Sequence, residues 1–134
     1  MELTIGLKQY MLYLSYMASA IVMIATFISI YISITPIKEM RLIREGCMAA
    51  SLSFGGALIG FSLTLASSIA HSDTILNFVV WGACAAFVQL IVFFIIYKLV
   101  PNARTELEDN NIAVGGLFCA ISLAIGIINA ACLS

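Results

Sequence analysis

Charge is what this chain has least of. Only 10% of its 134 residues are Asp, Glu, Lys or Arg, against about 25% in a soluble domain. None of these falls between Lys8 and Lys38, from Gly46 to Ser72, from Thr74 to Tyr97, or from Asn110 to the C-terminus. The formal net charge is −1, so the chain lacks the basic face that nucleic acid demands, and nucleic acid is not an expected partner. Proline occurs twice, so little interrupts long helices. Four cysteines, Cys47, Cys84, Cys119 and Cys132, show neither CxxC nor Cys/His spacing, which argues against a disulfide or metal framework. The sequence has no Walker loop and no nucleophile beside a base, and His71 stands alone in a loop. No catalytic residue, cofactor or metal is expected, and the chain reads as non-enzymatic.

What it has in abundance is apolar length. Hydrophobic residues make up 63% of the chain, and the mean hydropathy is +1.11. A globule this small cannot hide that much apolar surface from water. A membrane-crossing helix needs about 20 mostly apolar residues, and each charge-free run is long enough for one. The expected spans are about 10–34, 47–70, 75–98 and 111–132, in a single integral membrane domain covering residues 1–134. Lys8 followed by an apolar run and Ala18-Ser19-Ala20 imitates a signal peptide. The apolar run continues to Ile37, however, and cleavage would leave a chain starting inside hydrocarbon, so an uncleaved span is expected.

Lys and Arg in short loops set orientation. The first connection carries Lys38, Arg41 and Arg44, and the third carries Lys98 and Arg104. The second, around His71 and Asp73, carries neither. Both charged connections are therefore expected in the cytoplasm and both termini in the periplasm, with Lys8 a weak contrary signal.

The chain also reads as one hairpin written twice. Ile34–Gly60 is "ITPIKEMRLIREGCMAASLSFGGALIG" and Leu99–Gly126 is "LVPNARTELEDNNIAVGGLFCAISLAIG". Each leaves a span, meets a proline (Pro36, Pro101), passes a charged segment ending on an acid (Glu45, Asp109), and enters a helix of Ala, Gly and Ser. Ala49 matches Ala113 and Phe54 matches Phe118. The expected fold class is an all-α membrane protein of four transmembrane helices, built as two parallel helical-hairpin repeats over about 10–70 and 75–132. In the first charged segment, Ile37, Met40, Ile43 and Leu42 lie near one face with the charges opposite, as in a short interfacial helix.

On these residues the chain resembles a known family. The pairing of "RLIREGCMAASLSFGGALIGF" with "NNIAVGGLFCAISLAIGIINAAC" is similar to the YjfL-like family, small bacterial inner-membrane proteins carrying a domain of unknown function. The likeness covers about residues 10 to 132. The family pattern has a polar loop end, Asn-x-Ala-Ala and a Gly-rich helix, then a second Asn-x-Ala and a closing Asn-Ala-Ala. Here the second Asn is Asn111 and the closing triplet is Asn129-Ala130-Ala131, but Cys47 stands where the pattern has its first Asn. The resemblance implies no established activity. It implies a bacterial inner-membrane location and gene neighbours such as phage-shock-type membrane-stress proteins and ATP-grasp ligases similar to glutathionylspermidine synthases. That points to a membrane-associated partner system.

Small residues mark helix contacts. On the second span Ala49, Ser53, Gly56, Gly60, Thr64 and Ser67 recur at spacings of three and four. On the fourth, Gly115, Cys119, Ser122, Gly126 and Asn129 do the same, with Gly116, Ala120 and Ala124 in a second stripe beside them. Small faces let helix backbones approach, and van der Waals packing holds helices together in lipid. Two such faces on one helix suggest a second copy as a neighbour, hence a homo-oligomer. The first span carries hydroxyls at Ser15, Ser19, Thr26, Ser29 and Ser33. They either line a polar path or bond carbonyls one turn back.

Gln89 lies mid-span, roughly 20 Å along its helix, at the expected level of Gly56 and Cys119. Asn129 is expected at the shallower level of Asn77. Gln89 suits a bond to a carbonyl opposite a glycine, or a place on a conduit. The readings that remain are a non-enzymatic scaffold or docking subunit linked to envelope stress, or a homo-oligomeric channel lined by Ser15, Ser19, Thr26, Ser29, Gln89 and Asn129. In the first, Arg41, Arg44 and Arg104 would touch headgroups or a peripheral cytoplasmic protein.

Overall fold

A computed structural model describes residues 2–34 and 38–133, with side chains from Gly6 onward. The described chain is helical throughout: α1 Glu2–Ile34, α2 Glu39–Arg44, α3 Met48–His71, α4 Ile75–Leu99, α5 Ala103–Glu108 and α6 Ile112–Cys132. Four helices, α1, α3, α4 and α6, are long and apolar enough to cross a membrane. Three lie within a residue or so of the expected spans. α1 starts earlier, at Glu2, because nothing before Lys8 breaks a helix except Gly6.

The ends have local causes. Thr74 caps α4, its hydroxyl accepting from Asn77 N at 3.2 Å. Val100 closes α4 in an extended conformation, φ −84° and ψ 117°, as expected for a residue before proline. Pro36 and Ile37, which carry the matching expectations in the first half, lie outside the described residues.

α1 and α4 run in one direction, and α3 and α6 in the other. Tyr16 meets Phe78 near one end (ring centroids 5.7 Å apart) and Tyr31 meets Phe93 near the other (4.6 Å). α3 is central: 50% of its most apolar window is buried, against 11% for α1. Two kinds of packing surround it. Toward α6 the contact is made of small residues. Toward α1 it is aromatic, with Phe27 stacked on Phe61 at 4.4 Å and Tyr31 edge-on to Phe54 at 5.5 Å, while Phe93 of α4 tilts against Phe118 of α6 at 5.6 Å.

Both charged segments form six-residue helices at one end of the bundle. The expected division of α2 into an apolar and a charged face does not hold. Met40 is 45% exposed, while Glu39 is fully buried beside half-buried Leu42 and Ile43. Positions 39, 42 and 43 share one helix face, and that face is the one docked on α3. Glu39 lies near enough to Tyr31 of α1 and Tyr97 of α4 to act on both electrostatically.

Candidate functional site

α3 and α6 form the most extensive helix pair, parallel and in contact along their lengths. A Cβ added at Gly115 would stand 2.6 Å from Ala49 O and 2.7 Å from Ala49 Cα. One at Gly56 would stand 2.5 Å from Cys119 Cα, and one at Gly126 would press on the Gly60 backbone. Ala49, Ser53, Gly56, Gly60, Gly115, Ser122 and Gly126 are all buried. Hydroxyls stitch the seam: Thr64 Oγ1 donates to Gly60 O (3.0 Å) and Gly126 O (3.2 Å), and Ser67 Oγ to Ala130 O (2.5 Å). Ser53 instead turns toward α1, 3.3 Å from Tyr31 Oη.

Gln89, 3% exposed, donates Nε2–H to Ser122 O at 2.9 Å beside Gly60. That is one turn from the expected level of Gly56 and Cys119. Asn129 does not stand at the level of Asn77: its amide donates to Ala85 O at 3.3 Å. The physical reason is that side chains lean toward the N-terminus of their own helix. Gln89 and Asn129, on antiparallel helices, lean in opposite directions, which counting residues ignores. The amide oxygen of Gln89, Oε1, is buried with no hydrogen-bond partner among the described residues. Gln89→Met keeps the length, removes one bond and removes that orphan acceptor. It is therefore expected to change stability by less than about 1 kcal/mol in an SDS unfolding titration. Gln89→Glu is expected to unfold the chain at markedly lower SDS, because it places a carboxylate at mid-span.

The hydroxyls of α1 bond within their own helix and make no hydrogen bond to another helix among the described residues. Ser15, Thr26, Ser29 and Ser33 are exposed and Ser19 is half-buried. Each donates to the carbonyl four residues back, at 2.8 to 3.0 Å. Gly116 and Ala120 likewise take no part in the α3–α6 seam. Gly116 has nothing within 4 Å of an added Cβ, and Ala120 is exposed. Within one chain, then, the structure does not bring Ser15, Ser19, Thr26 and Ser29 together with Gln89 and Asn129.

At the charged end the two junctions, α2 to α3 and α5 to α6, are built alike. Gly46 N–H bonds Ile43 O and Cys47 N–H bonds Leu42 O; Asn110 N–H bonds Leu107 O and Asn111 N–H bonds Glu106 O. Each is the paired 5→2 and 6→1 closure that ends a helix on a left-handed residue. Gly46 (φ 87°) and Asn110 (φ 61°) fill that place. Caps differ. α6 is capped by its own Asn111, whose Oδ1 accepts from Val114 N at 3.3 Å. α3 begins at Cys47, whose side chain caps nothing. Its Ala49 N–H is taken by Asn110 Oδ1 from the other half of the chain, at 3.0 Å. Sequence reasoning missed Asn110. The signal was its alignment with Gly46, since Asn is the commonest substitute for Gly where φ is positive.

Residues 4–133 match the family described as Domain of Unknown Function (DUF350). The chain belongs to the DUF350 family. It is 34% identical over 120 residues to the UPF0719 inner membrane protein YjfL of Escherichia coli (strain K12), covering 90% of this chain and 91% of that one. It is 27% identical over 119 residues to the UPF0719 transmembrane protein YshE of Bacillus subtilis (strain 168), covering 87% and 89%. No solved structure matches.

In this DUF350 chain Cys47 is buried and donates Sγ–H to Leu107 O at 3.2 Å, with Asn110 Oδ1 3.7 Å away. Cys47 thus hydrogen-bonds one junction to the other. Outside the junctions, Arg41 pairs with Glu45 (3.2 Å) and Arg104 with Glu108 (3.1 Å), all exposed. Surface pairs of this kind add little stability. Between α2 and α5 they border a cleft of about 360 Å³ that also takes in Lys38. Arg44 is exposed on α2 beyond that cleft.

Proposed function

We propose that this DUF350 protein is a multi-pass protein of a bacterial inner membrane that works without catalysing a reaction, as a scaffold that docks a peripheral protein on its α2–α5 face. One observation carries the reading. Two short charged helices end on like-built turns, are tied to each other through Cys47 and Asn110, and sit on the α3–α6 seam. A rigid pair of this kind presents Arg41, Arg44 and Arg104 in fixed positions. The excess of Lys and Arg in these two connections supports a cytoplasmic position for that face. The name of the Escherichia coli relative supports the inner membrane. The order long, short, long helix in each half, with parallel α3 and α6, supports two hairpin repeats related about the membrane normal. A link to envelope stress is part of the same proposal.

The test is charge reversal away from the folded core. Arg41→Glu with Arg44→Glu is expected to leave helicity and insertion intact and to strip a peripheral protein that the wild type retains on washed membranes. An unchanged set of membrane-bound proteins, with unchanged growth under membrane-depolarising stress, would count decisively against docking.

The exposed hydroxyls of α1 at Ser15, Thr26, Ser29 and Ser33 favour a second reading, a homo-oligomeric channel in which several copies turn α1 toward a shared axis. Gln89 and Asn129, bonded to carbonyls between α4 and α6, would lie off that axis. Liposomes carrying the protein would then pass small polar solutes or ions, and Ser19→Leu with Thr26→Leu would stop the flux.

A further inference from the structure

On the seam between α1 and α4, three hollows join end to end. The first, about 400 Å³, shares Ile30, Phe87 and Leu90 with the next, of about 410 Å³. That one shares Ile34 and Phe94 with a third, about 580 Å³, at the charged end. Apart from Thr26, whose hydroxyl is tied to Val22 O, the first two are lined by apolar side chains. Together they make one apolar groove that opens to hydrocarbon and leads to a polar mouth.

The mouth carries two cations, of which Arg104 is already paired with Glu108. Lys98 and Arg104 line it, and no Asp or Glu does among the described residues. This contrasts with the neighbouring cleft between α2 and α5, where Glu45 and Glu108 face the cations. Lys98 Nζ stands 4.6 Å from the centre of the Phe94 ring, so its stem follows the groove wall and its charge reaches the rim. Arg104 meets Glu108 through Nε, so its two terminal nitrogens can take a second anion. Asn102 also lines the mouth, exposed and with no side-chain cap bond, and offers a neutral donor.

Length fits as well. From Phe87 to Lys98 the helix rises about 16 Å, close to half of a hydrocarbon core of about 30 Å. A chain entering at Lys98 would follow the groove through one leaflet.

We propose that this seam is a binding site for an anionic phospholipid, one acyl chain in the α1–α4 groove and the phosphate held by Lys98 and Arg104. The inference does not depend on what docks on α2 and α5. An apolar groove alone would accept any lipid. The mouth cations, Lys98 first because Arg104 shares its charge with Glu108, are what select a net negative headgroup over a zwitterionic one.

The experiment is native mass spectrometry of the detergent-extracted full chain, titrated with phosphatidylglycerol or phosphatidylethanolamine. Wild type is expected to retain phosphatidylglycerol about 25-fold better. Each mouth cation is expected to contribute about fivefold, so Lys98→Gln weakens retention by that factor. The double variant with Arg104→Gln is expected to fall to the phosphatidylethanolamine level. Both positions are exposed, so helicity should not change. Arg44→Gln, which removes an exposed cation outside the groove, is expected to leave the preference as it was. The proposal is overturned if the two lipids are retained equally or if Lys98→Gln changes nothing. It is also overturned if Arg44→Gln weakens retention as much, which would mean a diffuse charge effect. Displacement of the lipid by millimolar glycerol phosphate would overturn it too, since the site would then be a plain phosphate site with no role for the groove.

Discussion

Gly126→Ala is expected to destabilise the chain by about 2–3 kcal/mol, while Gly116→Ala leaves stability unchanged or raises it by up to about 1 kcal/mol. Both are single methyl additions to one apolar helix, so any difference comes from the neighbour. At Gly126 the added Cβ would lie 2.5 Å from Gly60 Cα and closer still to Gly60 O. Backbone cannot swing aside as a side chain can, so α3 and α6 would have to part. Parting them loosens every contact along the seam, including the Thr64 bond to Gly126 O. At Gly116 nothing lies within 4 Å, and alanine simply restricts the unfolded chain and favours helix. Gly115→Ala beside it should behave like Gly126→Ala, because its Cβ meets Ala49 backbone at 2.6 Å. Equilibrium unfolding in SDS, followed by circular dichroism, measures all three. Equal effects at Gly115 and Gly116 would mean that α3 and α6 do not meet as described. Destabilisation at Gly116 with the others normal would reveal a second helix on that face, which a homo-oligomer would supply.

Asn110→Ala is expected to cost about 2–3 kcal/mol, and Asn110→Gly about 1–2 kcal/mol, from two separable causes. The side chain accepts the Ala49 N–H, so either substitution leaves that part-buried donor without its partner. The backbone of Asn110 is left-handed, φ 61°, which alanine resists and glycine does not. The difference between the variants isolates the backbone term, roughly 1 kcal/mol. Cys47→Asn then provides the sharper test. α6 is capped by Asn111 at the matching position, so an amide at residue 47 should cap α3 from within its own half. Cys47→Asn is expected to recover about 1 kcal/mol in the Asn110→Gly background and to gain nothing in the wild type, where Asn110 already occupies the place. Additive effects of the two substitutions would show that Asn110 and residue 47 do not serve the same helix end.

The spans were legible because lipid excludes charge: the four runs without Asp, Glu, Lys or Arg are the four long helices, give or take frayed ends. The seam was legible for a related reason. Without a hydrophobic drive between helices, contact needs small residues, and Gly56, Gly60, Gly115 and Gly126 recur at helical spacing. Periodicity could not tell which of two small stripes on α6 meets α3, so Gly116 and Ala120 looked equivalent to Gly115. Depth was harder to read than contact, as the lean of Gln89 and Asn129 showed. Glu39 was hidden from sequence reading because burial of a charge at the end of a bundle depends on what docks there, not on the local pattern. Asn110 was hidden because its side chain serves a helix far away in sequence. Which side of the membrane Arg41, Arg44 and Arg104 face is a matter of insertion, and loop charge alone speaks to it.

The central claim is that both charged junctions lie together on the cytoplasmic side of an inner membrane. The direct measurement is labelling of single introduced cysteines by a membrane-impermeant maleimide, in a Cys132→Ala background that removes an exposed native thiol. Asp73→Cys, in the turn between α3 and α4, is expected to label when only the outer membrane is opened. Glu45→Cys and Asp109→Cys are expected to label only after the inner membrane is permeabilised, and to the same extent as each other. Labelling of Glu45→Cys and Asp109→Cys from opposite sides, or of both from outside, would contradict it.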